Sequence, residues 1–268
     1  MSFFIEQNKL KMKIFGFIPA RMAASRLPGK PLKYILGKTM LEHVYERSNM
    51  FNKWNKLFVA GCDKQIRNFC LSKNYPYLDT SKKHDRCLDR VVEATFKTKE
   101  KISDNDAVVC IQGDEPMLKP KMIKTVVDKL KINKKVKASI LVMDIINKDQ
   151  YLSPNIVKVV NNINGEILYC SRSPIPFSKK FSKNLGAKRI YGIYAFRYGF
   201  LKNFNKLNSS PLEIAESCDQ NRICDNGGGM YVANFKFFPS FSVDTNSDLR
   251  LVRKKMSQNF LWKKYKNL

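Results

Sequence analysis

A chain of 268 residues with 44% hydrophobic content can fill one large α/β domain or two small ones. It holds no run of about 18 apolar residues, which excludes a spanning helix, and its seven scattered cysteines lack any C-x-x-C pair, which argues against a disulfide framework or a structural zinc site. The net charge of +26 admits a polyanionic partner, but the lysines fall in nearly every segment rather than in one block interleaved with aromatics, the pattern of solvated faces.

The opening stretch MSFFIEQNKLKMK lacks a signal peptide's order of charges, apolar stretch and small-residue cleavage site, so a cytoplasmic location is expected. MKIFGFIP (12–19) reads as a buried strand, and TMLEHVYERSNM (39–50) has helical spacing. KLFVAGC (56–62) predicts the second strand, with KQIRNFCLSKN and RVVEATFKTKEK (90–101) as helices. DAVVCIQGDEP (106–116) is a strand ending in an acidic turn. PKMIKTVVDKLKI (120–132) is a helix and KASILVMDI (137–145) a strand. The second half is more β-like. PNIVKVVNNINGEILYCS predicts a hairpin turning at Asn164-Gly165, and RIYGIYAFR an aromatic strand. SPLEIAESCDQNRICDNG (210–227) predicts one helix stopped by glycines, MYVANFKFF a strand, and FSVDTNSDLRLVRKKM the lead into the last helix. The Pro-flanked SRSPIPFSKKF (171–181) reads as an arm suited to a dimer contact.

This cadence predicts an α/β fold with a mostly parallel, doubly wound, Rossmann-like sheet and a smaller β-rich part. One domain is expected over 1–268, with an N-terminal extension (1–11), a β-rich subregion suited to ligand or dimer contacts (about 154–200) and a C-terminal tail (256–268). Right-handed crossovers place the loops that follow the strands on one sheet edge, where open α/β sheets bind ligands. ARMAASRLPGK and QGDEP then face one crevice.

The first of these loops is neither a Walker A loop nor G-x-G-x-x-G. Arg21, Arg26 and Lys30 nevertheless supply a fork of donors and a point charge suited to phosphate oxygens. From this segment alone, a phosphate cradle and a solvated basic loop fit equally. In QGDEP, Asp114 and Glu115 end an apolar strand, where carboxylates suit Mg²⁺ and phosphate chemistry or a polar turn capping the next helix. Asp244 in SVDT is a second acid or a helix N-cap.

Taken together and in order, IPAR, SRLPGKPL, QGDEP, PNIVKVV, SR, GIYAFR, PLE and VDT resemble the 3-deoxy-manno-octulosonate cytidylyltransferases (CMP-Kdo synthetases) over roughly residues 13–255. The resemblance implies coupling of CTP to a 3-deoxy ulosonic acid, giving the CMP-sugar and pyrophosphate for lipopolysaccharide assembly, in a homodimer with neither nucleic-acid nor membrane partners. By motif, Arg21, Ser25, Arg26, Lys30 and Gln112 would bind CTP, and Asp114 and Asp244 would hold Mg²⁺. Lys30, Asp114 and Asp244 would be the catalytic set. Gln112, Arg172, Tyr194, Glu213, Asp219 and Gln220 would contact the sugar.

The chain departs from the family pattern on the sugar side. Its HDRCLDR keeps His84, Asp89 and Arg90 of the family's His-x-Ser-Gly-Thr-Asp-Arg, but Arg86, Cys87 and Leu88 replace the small central residues. Ile190 stands where a histidine is usual, and Asp219 is shorter than the usual acid. An amino-Kdo or a sialic-acid-like sugar is therefore an alternative substrate. A sugar-1-phosphate nucleotidyltransferase and a basic nucleic-acid-binding module are the alternatives from other classes.

Overall fold

Every residue from Ile14 to Ala20 is buried, and this run forms the central strand β1 (Ile14–Ala20). Ile14, Ile18 and Ala20 join one apolar layer, while Phe15 and Phe17 join the other. A strand covered on both faces has no polar side to display, so its sequence reads as one apolar run. The computed structural model describes residues 12–24, 26–204 and 206–268; the expected 1–11 extension and Ser25 lie outside them.

After β1 come a small ribbon, β2 (Tyr34–Ile35) and β3 (Lys38–Thr39), and helix α1 (Met40–Asn49). Thr39 and Glu42 form a reciprocal capping box that fixes where α1 starts. Alternation continues through β4 (Lys56–Gly61), α2 (Lys64–Ser72), β5 (Tyr77–Asp79), α3 (Cys87–Lys97), β6 (Ala107–Ile111), α4 (Pro120–Ile132) and β7 (Ala138–Asp144). The second half holds α5 (Lys148–Leu152), β8 (Lys158–Asn161), β9 (Ile167–Ser171), β10 (Lys188–Arg197) and α6 (Tyr198–Phe204). It closes with α7 (Pro211–Glu216), α8 (Asp219–Asp225), β11 (Met230–Asn234), α9 (Asn246–Ser257) and α10 (Trp262–Tyr265).

The sheet runs β11-β7-β10-β6-β1-β4-β5, with the β8–β9 hairpin attached to β10. Only β10 runs antiparallel within the main path, so the mostly parallel expectation holds with one reversal. That reversal matters for the site. β10 begins at the edge where β6 and β7 end, which brings its first residues to the ligand side of the sheet.

Several boundaries differ from the sequence reading. α3 starts at Cys87 rather than 90, which puts Cys87, Leu88 and Asp89 in its first turn. The single helix expected over 210–227 is two, α7 and α8, broken at Ser217 with φ 52°. The break is held by Glu216, whose carboxylate accepts from the Arg172 amide (2.8 Å), the Ser171 hydroxyl (2.6 Å) and the Tyr169 hydroxyl (2.8 Å). β5, α5 and α6 are too short for a period to register. The 256–268 segment is docked: Tyr265 is fully buried against α1, where its hydroxyl accepts from Arg47 Nε at 2.8 Å.

A satellite cluster carries the basic loop. Leu27, Ile35, Met40 and Met117 pack with Val243, Leu249, Val252 and Met256. The loop after β1 is thus set by the chain's last quarter. Val243 N–H also donates to the Asp114 carbonyl at 2.9 Å, tying the loop after β6 to the same segment.

Candidate active site at the strand ends

Two crevices open at this edge. One, of about 270 Å³, lies over the loop after β1 and is lined by Arg21, Arg26, Lys30, Gln112, Asp114 and Asp244 among others. The second, of about 230 Å³, lies over the start of β10; Arg172, Tyr194, Asp219, Gln220 and Gln112 help line it. Arg26, Gln112, Asp114 and Asp244 line both, and so mark the seam between them.

Local geometry explains how the cations reach the seam. Gly29 takes φ 70°, a left-handed conformation that costs a Cβ-bearing residue, and launches a short 3₁₀ turn, Lys30–Leu32. This turn aims Lys30 inward. Its Nζ lies 2.8 Å from Asp114 Oδ2 and 3.2 Å from Asp244 Oδ1. Burial by itself would lower the Lys30 pKa, but the Asp114 and then the Asp244 carboxylate outweigh it and the net shift is upward. Lys30 is a firm cation. Arg26 donates to Asn155 Oδ1 at 2.8 Å and pairs with Asp244 Oδ2 at 3.2 Å. Arg21 donates to the His84 carbonyl at 3.3 Å. The Asp114 Oδ1 atom is buried with no hydrogen-bond partner among the described residues. Asp244 precedes the cap of α9, which is Thr245, so its carboxylate is free for the seam.

Gln112 bridges the crevices. Its amide donates to the Tyr194 hydroxyl at 2.9 Å and lies 3.4 Å from Cys87 Sγ, while its backbone N–H donates to the Gly192 carbonyl at 2.8 Å. A Cβ on Gly192 would sit 2.5 Å from the Gln112 side-chain oxygen, so a glycine is required opposite it. Next door, Glu115 is 2% exposed; its Oε1 accepts from Gly192 N–H at 3.2 Å and the Ser242 hydroxyl at 2.6 Å. Burial, reinforced by the Asp114 charge, pushes its carboxyl up to about 7.

In the second crevice, Arg172 spends Nε on the Glu216 carbonyl (3.0 Å) and Nη1 on the Pro154 carbonyl (2.9 Å). Lys158, fully buried, holds the same wall through the carbonyls of Ser153 (2.8 Å), Ile156 (2.7 Å) and Arg172 (2.5 Å). Burial, then the nearby Arg172 charge, lowers its pKa to about 8. Asp219 accepts from Leu88 N–H at 3.1 Å and lies 3.3 Å from Cys87 Sγ; burial raises its pKa.

Most of the expected residues converge; one does not. Glu213 is fully buried, grips Arg222 at 2.7 and 2.6 Å and lines neither crevice. The same Arg222 takes Asp89 at 2.9 Å, away from both crevices, while His84, whose Nε2 pairs with Glu93, lines the first crevice. Arg86 and Cys87 line the same first crevice. The sequence reading missed Asn155, Ser242 and Arg189, which also line the second crevice. A charged residue opening the aromatic run RIYGIYAFR was the available signal for Arg189. All seven cysteines are unpaired, as expected. Among the described residues no helix is long and apolar enough to cross a membrane, and no group of three or more His, Cys, Asp or Glu is placed to hold a metal.

A family model described as "Cytidylyltransferase" matches residues 15–235. The 3-deoxy-manno-octulosonate cytidylyltransferase of Nitrosococcus oceani is 38% identical over 245 residues, 88% of this chain and 93% of that protein. Its counterpart from Fusobacterium nucleatum is 36% identical over 248 residues, 92% of this chain and 98% of that protein. A solved CMP:2-keto-3-deoxy-manno-octonic acid synthetase complexed with CTP superposes with a TM-score of 0.82 at 33% identity, covering 92% of this chain and 99% of that one. A 4-diphosphocytidyl-2C-methyl-D-erythritol synthase, 13% identical with a TM-score of 0.61 over 91% of this chain and 98% of its own, shares the fold. With its basic loop and two aspartates meeting at one seam, the chain belongs to the cytidylyltransferase family, among the 3-deoxy-manno-octulosonate cytidylyltransferases.

Proposed function

We propose that this enzyme couples CTP to 3-deoxy-manno-octulosonate, releasing pyrophosphate and the CMP-sugar. The observation that carries the reading is the seam itself: Lys30, Asp114 and Asp244 sit where the two crevices meet, the place an in-line transfer between their occupants requires. The solved relative complexed with CTP and the names of the curated relatives support it.

In this reading the triphosphate lies over the loop after β1, and the sugar acid lies over the start of β10. Arg21, Arg26 and Lys30 donate to phosphate oxygens and neutralise the charge that builds on the departing pyrophosphate. Asp114 and Asp244 would hold Mg²⁺, a fit suggested by two hard carboxylates side by side and by the unpartnered, buried Asp114 Oδ1. Bound there, the metal supplies Lewis-acid neutralisation of the phosphates. Gln112, fixed by Tyr194 and Gly192, orients whichever substrate oxygen enters the seam. The sugar's anomeric hydroxyl attacks the α-phosphorus, the bond to the β-phosphate oxygen breaks, and the hydroxyl proton leaves to solvent or phosphate. Ser25, which lies outside the described residues, completes the expected CTP set. The same reading makes the enzyme a cytoplasmic homodimer serving lipopolysaccharide assembly, as the family resemblance implies.

A modified sugar acid is the second reading, favoured by Ile190, which brings an alkyl chain to the second crevice, and by Cys87, whose thiol lies 3.3 Å from Asp219 on its wall. Turnover with CTP and Mg²⁺ against 3-deoxy-manno-octulosonate, an amino-Kdo and a nonulosonic acid tests both readings, with pyrophosphate release and product mass as readouts. The octulosonate should turn over fastest. Faster turnover of an amino-Kdo or nonulosonic acid would move the assignment to that sugar, and no release from any of the three would end it.

A further inference from the structure

A guanidinium N–H shut away from water needs an acceptor, because burial strips its hydration, and the Nε of Arg189 is such a group. Arg189 lacks one. It is 8% exposed, its Nε is buried without a partner, and its guanidinium makes no hydrogen bond or ion pair among the described residues. It stands near the head of β10, a place where that strand pairs with β7 on one side and β8 on the other, opposite Met143 and Lys158. Its backbone is therefore rigid, and its side chain lines the sugar-side crevice.

Its surroundings favour a substrate role over a structural one. Glu115 shares that crevice wall and is close enough for the two charges to act on each other, yet they do not pair, and Glu115 Oε2 is also unpartnered. A residue placed only to stabilise the fold would have closed that gap. Arg172, the arginine to which the family resemblance pointed, is differently placed: backbone carbonyls already occupy its Nε and Nη1. Of these two arginines in the crevice, the uncommitted one is Arg189.

We propose that Arg189 is a specificity-determining residue whose guanidinium donates to oxygen atoms of the bound sugar acid, while Arg172 holds the crevice wall. The proposal rests on the cytidylyltransferase reading of this crevice. A planar fork of donors matches either a carboxylate or two neighbouring hydroxyl oxygens, which are the groups a sugar acid presents.

Arg189→Met keeps the buried stem and removes the fork, and Arg189→Lys keeps the charge alone. Arg189→Met should raise the sugar KM by about 30-fold and leave the CTP KM within about twofold, with Arg189→Lys in between. Isothermal titration of the sugar acid into both proteins should show the same loss in affinity. Titration of its methyl ester then names the acceptor: a loss that disappears with the ester assigns the carboxylate, and a loss that persists assigns hydroxyls. Equal sugar KM values in Arg189→Met and the unmodified enzyme would overturn the proposal while leaving the functional reading intact. An equal rise in both KM values together with a lowered melting temperature would overturn it in favour of a structural role. Failure of the unmodified enzyme to bind or turn over any sugar acid would overturn the functional reading, and this inference with it.

Discussion

The two crevices share Arg26, Gln112, Asp114 and Asp244 but handle charge in opposite ways. In the crevice over the loop after β1 the cations and acids hold one another: Lys30 bridges both aspartates and Arg26 takes Asp244. Around the crevice over the start of β10, Arg172 and Lys158 are committed to the main chain, and Arg189 to no protein group among the described residues. Paired charges are cheap to keep at a half-open site and can exchange partners when phosphates arrive. Backbone-held cations cannot exchange without dismantling the wall, so they fix its shape instead. The first crevice is built for exchange, and the second for shape.

The contrast can be broken experimentally. The largest effect is expected from Asp114→Asn, which should cut kcat by about 10³-fold with an unchanged melting temperature. Turnover within tenfold of the unmodified enzyme would show that the seam is not where charge is neutralised. Next comes Glu213→Gln, which strips the buried Arg222 of much of its counter-charge. It should lower unfolding free energy by about 3 kcal/mol in chemical denaturation and leave the sugar KM unchanged. A raised sugar KM at full stability would return Glu213 to the site.

A smaller change is expected from Tyr194→Phe, which frees the Gln112 amide and should raise the sugar KM by about fivefold. An effect on the CTP KM alone would place Gln112 on the other side of the seam. The smallest is a pH effect. Lys158 holds three carbonyls as an ammonium, and with a pKa lowered to about 8 it loses that proton as pH rises from 7 to 9. A neutral amine has only two N–H groups for three carbonyls, so the sugar KM should climb about threefold over that range. Stability should not follow. The folded-state pKa lies below the 10.5 of a free lysine, so the unfolded chain binds the proton longer and this group's contribution to stability grows between pH 8 and 10.5. A sugar KM flat from pH 7 to 9 would remove Lys158 from the crevice wall.

Much of this was legible in the chain's lettering. Phe15 to Ile18 announced a strand buried on both faces, and Gly29 with Lys30 announced a turn that presents a cation. QGDEP announced carboxylates at a strand end, where the edge rule for open sheets predicts ligands. Short elements escaped because β5, at three residues, and α5, at five, span too little of any period. The break at Ser217 escaped because its cause, Glu216 reaching β9, is a contact across 45 residues. The burial of Glu213 escaped because local sequence shows a carboxylate on a helix but not the Arg222 that occupies it.

The alternation of apolar runs and amphipathic segments, which depends on neighbours three or four residues apart, determined by itself that the sheet is mostly parallel and that both motif loops share an edge. Which charges meet was decided only by tertiary structure. Asp244 reaches Lys30 across 214 residues because Leu27 packs against Val243 and because Val243 binds the Asp114 carbonyl. Whether a cation is spent or left for a substrate depends on distances that no local pattern encodes, and in that respect Arg172 and Arg189 differ.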